Sequence, residues 1–230
     1  LGFPDDGFLL PPLRENYHVV EAVTPPEGVL FVLPAFGLNE ERDERRRTLQ
    51  ERCELVARLA NHERPAVVWC HLNIEGDLLA RLISGCRQVK GQDSDEARED
   101  AYQGFSDGSI RVIVTKPKIG AWGLNWQHCN HVLTFASHSY EQFYQSVRRC
   151  WRFGQQQPVT VDIVSTTAEV RVRDSMTRKA HAASVMFSEL VKYMNEATRI
   201  DRSNDEGNPV EVPQWLASNS LCAIDTPSTL

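Results

Sequence analysis

From Pro65 to Val164 the chain alternates short, continuous apolar runs with longer stretches whose apolar positions recur every three or four residues. The runs at 66–70, 110–114, 131–135 and 159–164 have the character of buried parallel strands. Arg87 to Lys90, ending at Gly91, is a shorter strand. Between them, Ile74, Leu78, Leu79, Leu82 and Ile83 follow a cap at Asn73, and Ala97, Ala101 and Phe105 follow one at Asp93 or Ser94. A third helix is predicted over 139–150, where Ser139 and Gln142 have the spacing of a capping box. Strands alternating with helices imply βαβ crossovers, hence an α/β fold with a parallel sheet and helices on both faces.

The flanks read differently. Residues 1–13, rich in Pro, Gly and Leu, have the composition of an arm or linker. Tyr17 to Val23 and Val29 to Leu33 are candidate strands around the turn Pro25-Pro26-Glu27-Gly28. One helix is expected across 39–63, with Leu49, Cys53, Val56 and Ala60 inward and the pairs Glu41/Arg45 and Asp43/Arg47 at i,i+4 outside. Its run Arg45-Arg46-Arg47 reads as a solvated face in preference to a nucleic-acid contact. A long helix is expected from about Thr167 to Thr198, burying Val172, Met176, Ala180, Ala183, Phe187, Leu190 and Met194. Its basic residues Arg171, Arg173, Arg178 and Lys179 read as a solvated face before a DNA-facing patch. Residues 201–213 read as a linker, and Trp215-Leu216 as a small anchor.

Ligands of such sheets sit at the carboxyl ends of the strands. The loop 115–125, with Thr115, Lys116, Lys118 and spaced glycines, lies at such an end. At about 100° per residue, Gln145, Arg149 and Arg152 fall on one face of the 139–150 helix and its continuation, opposite Phe143, Val147 and Cys150. Two arginines one turn apart, just past a Gly-bearing loop, suit a polyphosphate, because the guanidinium is always charged and offers a planar fork of donors. A solvated basic face is the alternative that geometry leaves open.

The net charge of −6 argues against a generally basic nucleic-acid coat, although not against a local groove. The six cysteines form no C-x-x-C pair and several sit in apolar runs, the usage of reduced, buried thiols in a cytosolic protein. His128-Cys129-Asn130-His131 does not make a zinc site, since in a strand two of those side chains point away from the others. No signal peptide and no membrane-spanning apolar run is found, so a cytoplasmic or nucleoid-associated location is expected.

The stretch Gly120-Ala121-Trp122-Gly123-Leu124-Asn125, followed by Gln145-Ser146-Val147-Arg148-Arg149-Cys150-Trp151-Arg152-Phe153-Gly154-Gln155, resembles motifs V and VI of superfamily-2 helicases, closest to the Swi/Snf-type DNA translocases. That branch has Gly-Gly-x-Gly-hydrophobic-Asn and a later Gln-x-x-x-Arg-x-x-Arg-x-Gly-Gln; here Ala121 replaces one glycine. The resemblance covers roughly residues 60–185, with Val67 to His71 where motif IV lies. It implies a RecA-like helicase C-terminal lobe over 39–200, preceded by an arm with the first strands (1–38) and followed by a tail (201–230). It further implies Arg149 and Arg152 as arginine fingers, Gly123 and Asn125 on the ribose side of the nucleotide, and Gln145 linking the fingers to the cleft or to the phosphates. Thr115, Lys116, Lys118 and His71 would meet nucleic-acid backbone.

No G-x-x-x-x-G-K-[ST] loop is present, and the Asp-Glu pairs at 43–44, 95–96 and 205–206 are not read as an acidic Asp-Glu-x-x motif for magnesium. In the family these lie on an N-terminal RecA-like lobe, so the resemblance implies that ATP and Mg²⁺ are held mainly there, that DNA and that lobe are the partners, and that this chain alone is inactive. Lys116-Pro117-Lys118 departs from the commoner small residues, and Arg148 stands where the family often has an acid. Two readings from other classes are a doubly wound transferase or nucleotide-sugar enzyme with a phosphate site at the same loop, and a non-catalytic interaction module. No clear catalytic base favours the first, and the intact arginines count against the second.

Overall fold

The computed structural model describes residues 10–21, 38–120, 124–137 and 139–205, with backbone alone for 38–42, 168, 170, 171, 173 and 195–205. The expected strand at Val29 to Leu33 and the segment after 205 lie outside the described residues. The chain divides into two units, residues 1–181 and 182–230.

The first unit is built on six parallel strands in the order β1-β6-β5-β2-β4-β3. They are β1 (Leu13–Val20), β2 (Ala66–Trp69), β3 (Cys86–Gln88), β4 (Val112–Thr115), β5 (His131–Phe135) and β6 (Val159–Thr166). The helices are α1 (Leu38–Arg47), α2 (Leu49–Leu59), α3 (Asn73–Leu82), α4 (Asp95–Ser106), α5 (Pro117–Gly120), α6 (Tyr140–Val147) and α7 (Val170–Asp205). From β1 to β3 the chain moves one way across the sheet; from β3 to β6 it moves back. Crossovers of one hand must then put the helices of the two journeys on opposite faces. They do: Val56 of α2 and Leu79 of α3 pack with Val68, Val114 and Leu133 on one face. Phe105 of α4, Phe143 of α6 and Met176 of α7 pack with Val67, Ile113 and Val161 on the other.

Strand β1 begins four residues before its expected start, because Val159 N–H donates to Pro12 O (3.0 Å) and the register from Leu13 to Val20 follows β6 throughout. The single helix expected over 39–63 is instead two helices meeting at Thr48. Its hydroxyl donates to Glu44 O (2.7 Å), the back-bonding that bends helices. The bend redirects the arginines. Arg46 is exposed, but Arg45 donates to Glu169 (2.7 Å) and to Ala136 O (3.0 Å), and Arg47 pairs with Glu44 rather than Asp43. The solvated-face reading of this run therefore holds only for Arg46.

Beneath α1, Arg52 is fully buried and donates to Glu75 (2.8 Å), Arg45 O (2.6 Å) and Thr48 Oγ1 (3.1 Å), with its guanidinium 4.8 Å from the Phe135 ring centre. Glu75 starts α3 by accepting the His71 and Leu72 amides, both at 2.9 Å. Burial raises its pKa, but the Arg52 charge and the backbone donors outweigh that and lower it overall.

A second polar chain crosses the same face near the amino ends of the strands. Arg64 N–H donates to His62 Nδ1 (3.2 Å), leaving the Nε2 hydrogen for His131 Nδ1 (2.6 Å). The His131 Nε2 hydrogen then meets Asp162 Oδ2 (2.6 Å), while His18 (2.8 Å) and Asn16 (2.9 Å) donate to Oδ1. Burial alone would raise the Asp162 pKa, but these donors hold it well below the usual carboxylate range.

The first turns of α7 bury Val172 and Met176 as expected. In the second unit Phe187, Leu190 and Met194, expected to be buried, are exposed: among the described residues of that unit no other element covers this helix. Among the described residues, no helix is long and apolar enough to cross a membrane.

Candidate nucleotide and nucleic-acid edge

The carboxyl ends of β2, β4 and β5 form the edge to which the sequence assigns its chemistry. Strand β4 ends at Thr115, and Cys70 N–H donates to Thr115 O (2.9 Å), bringing His71 and Lys116 to the same rim. The chain then turns through α5, which sits close over the strand. A Cβ on Gly120 would meet Thr115 Cγ2 at 2.9 Å and Trp69 Cζ3 at 3.3 Å, so glycine permits this approach. Lys118 is exposed and Lys116 half-buried.

Two expected backbone contacts take other roles. Thr115 is 0% exposed and its hydroxyl donates to Val89 O (3.2 Å), so it ties β4 to the end of β3 and has no donor left for a phosphate. His71 is half-buried and its Nε2 lies 3.3 Å from Phe135 O. Burial lowers its pKa, which leaves a neutral ring serving the sheet.

Gly123 lies outside the described residues; Asn125 is exposed on the segment leading back toward β5. That segment is anchored by Trp126, whose ring is fully buried against Trp69 (5.9 Å), Tyr102 (5.9 Å) and Phe105 (5.1 Å). Helix α6 starts as expected, with Ser139 Oγ accepting the Gln142 amide (3.3 Å). The other half of the capping box is replaced by Ser137 Oγ, which accepts the Ser139 amide (3.2 Å).

The helix stops at Val147, three residues short of the expected end, so Arg149 and Arg152 ride on turns rather than a helical face. Phe143, Val147 and Cys150 are nonetheless buried as the apolar stripe requires. Gln145 stays on α6, bonded to Glu141 (3.2 Å), and reaches neither arginine. Arg148 also finds a place: its guanidinium lies 5.8 Å from the Tyr144 ring centre and 5.3 Å from that of Trp151, a stacked cation that an acid could not replace.

The two arginines come together. Arg149 donates to Leu124 O (3.3 Å), while its Nε is buried without a partner. Burial, and then the adjacent charge of Arg152, lower its pKa. Among the described residues no carboxylate lies within ion-pair distance of either side chain. The turn between α6 and β6 therefore holds two neighbouring cations that lack a counter-charge among the described residues. A hollow of about 470 Å³, lined by Glu54, Arg58 and Arg111 among others, lies between the ends of α2 and α3 near the amino ends of β2 and β4.

Helix periodicity pointed to Arg149 and Arg152 but not to the residues that hold them. Gln127, Gln155 and the carbonyl of Leu124 lie on irregular backbone, where no period exists to read. The only signal was that Gly154-Gln155 closes the second motif.

Residues 48–154 match the protein family described as "Helicase conserved C-terminal domain". Over 133 residues the chain is 32% identical to the bifunctional helicase and thymine dioxygenase JBP2 of Leishmania tarentolae, covering 55% of this chain and 12% of that protein. The chain thus spans a small part of the curated relatives it matches. Among solved structures, it resembles a DEAD box protein from Methanococcus jannaschii (TM-score 0.50, 20% identity, 56% of this chain and 36% of that one). It also resembles the DUF1998 helicase MrfA bound to DNA (TM-score 0.51, 14% identity, 70% and 21%). The six-stranded parallel sheet with helices on both faces is a RecA-like fold, consistent with the helicase C-terminal family that residues 48–154 match.

Proposed function

We propose that this chain, which carries a helicase C-terminal domain over 48–154, works as the second lobe of an ATP-dependent DNA helicase or translocase of the Swi/Snf-type branch. The observation that supports this reading is the pair Arg149 and Arg152, adjacent, partly desolvated and without a carboxylate between them. Like charges held together favour an external anion. A guanidinium fork suits the oxygens of a transferring phosphoryl group.

Phosphoryl transfer needs positioning and charge stabilisation more than covalent chemistry. On this reading a first lobe would hold ATP and Mg²⁺. Lobe closure brings Arg149 and Arg152 to the γ-phosphate, where they stabilise the charge that develops there. Asn125 and Gly123 face the ribose side, and Gln145 lines the approach from α6. Lys116 and Lys118 meet backbone phosphates of DNA; such contacts position the strand without reading its sequence. Residues 39–200 form the lobe, with 1–38 leading into it and 201–230 following. The DNA assignment rests on the motif spelling, and the relative named as a helicase and thymine dioxygenase is consistent with it.

Joined to the first lobe of its polypeptide, the chain is expected to hydrolyse ATP faster with duplex DNA than without, and alone to hydrolyse none. Hydrolysis by the chain alone, or turnover of the joined form indifferent to DNA, would overturn the proposal.

A further inference from the structure

We infer that Gln155 is a positioning residue that clasps the arginine turn to the Asn125 segment, an inference that rests on the motor reading above. Past the end of α6 at Val147, single-turn bonds shape the backbone that carries Arg149 and Arg152: Arg149 N–H to Ser146 O, and Cys150 and Trp151 N–H to Val147 O. They tie that backbone only to its own segment, and the Gln155 carboxamide is placed to tie it to the Asn125 segment. It is 8% exposed, and its Nε2 faces three carbonyl oxygens: Gln127 O (2.8 Å), Cys129 O (3.0 Å) and Cys150 O (3.3 Å). Its Oε1 accepts the Gln157 amide (2.9 Å). Two hydrogens shared among three acceptors leave the group fully used and with one orientation.

The clasp has further threads between the same two segments. Trp126 N–H donates to Arg149 O (2.9 Å), Arg149 donates to Leu124 O, and Gln127 Nε2 donates to Phe153 O. Gly154, at φ +94°, lets the turn close on Gln127, since a Cβ there would meet Gln127 Nε2 at 2.9 Å. Residues 124–129 and 149–155 therefore form one two-ply unit. One ply carries the arginines, the other Asn125. Gln155 touches neither nucleotide nor DNA in this scheme. It acts through the backbone that both plies share.

The carboxamide makes a sharp test possible. Gln155→Glu keeps the shape but sets a carboxylate against three carbonyl oxygens and removes both donors. Gln155→Met keeps the volume without the charge, and serves if the first variant misfolds. Hydrogen–deuterium exchange of the chain should then speed up in 124–130 and 149–157, by about tenfold or more for the Trp126 amide, while β5 stays protected. In the full polypeptide, ATP turnover should fall by about 10²-fold, the scale of a roughly 1 Å misplacement of a catalytic group. KM for ATP should change little, a split that simple loss of folded protein would not produce.

Unchanged exchange in both segments would overturn the clasp. Faster exchange with unchanged turnover, where Arg152→Ala does abolish turnover, would overturn the positioning role and leave the motor reading standing. If Arg152→Ala leaves turnover intact as well, the positioning role falls with the motor reading.

Discussion

Replacing Arg52 by alanine should be among the most damaging single changes available in the first unit. Arg52 and Glu75 are both 0% exposed, so water cannot compensate the carboxylate left behind. Breaking a buried ion pair by removing one partner costs about 3–5 kcal/mol. The Arg45 carbonyl also loses its donor and the Phe135 ring its covering cation, which places the expectation in the upper half of that range. At about 2–4 °C per kcal/mol for a chain of this size, the melting midpoint should drop by roughly 8–20 °C. Urea titration followed by circular dichroism reads the same quantity directly. Glu75→Gln should cost less, because a carbonyl oxygen still accepts from the start of α3. The double variant Arg52→Met/Glu75→Gln should cost clearly less than the sum of the single changes, since neither charge is then stranded. A loss below about 1 kcal/mol for Arg52→Ala would be the cost of an exposed pair, and would refute the buried-network account.

Two further outcomes follow from the same physics. His62, His71 and His128 have lowered pKa values, each chiefly through burial, so the folded chain takes up fewer protons than the unfolded chain. Stability should thus fall as pH drops below the unfolded histidine value of about 6.5, and again below about 3.9 as Asp162 is forced to protonate. Melting midpoints taken from about pH 8 to about pH 2 test this, and a flat curve between about 7.5 and about 5 would contradict the histidine part. Burial pushes the Cys53 and Cys70 thiols up to about 12, so both should resist alkylation until the chain unfolds. Among the described cysteines, half-buried Cys86 should react first; rapid labelling of Cys53 in the folded chain would be the contrary result.

Where the chain obeys a period, its structure was readable in advance. Strand β5 runs from His131 to Phe135 as its apolar run predicts, and Ser94 and Ser139 cap α4 and α6. The errors fall where a particular hydrogen bond or ion pair overrides the local pattern. No glycine or proline marks Val147 as a helix end; past it the chain runs in turns, and Arg149 O accepts from Trp126 N–H of another segment. Thr48 divides one amphipathic pattern into two helices through a bond from its own side chain, a choice that spacing does not reveal. Arg45 looks like a surface cation in sequence, and only the fold brings Glu169 to it. The candidate site was readable to the same degree. Its arginines stand out by type and spacing, whereas the Gln155 clasp depends on carbonyl groups that every residue possesses.

The central claim is that Arg149 and Arg152 complete a phosphate site when a second lobe closes on them. The most direct measurement is DNA-stimulated ATP turnover of the full polypeptide, wild type beside Arg152→Ala, with the fold checked by circular dichroism. A loss on the order of 10³-fold with an intact fold is predicted, the scale of an arginine finger. Unchanged turnover would make the arginine turn an ordinary solvated surface and contradict the account.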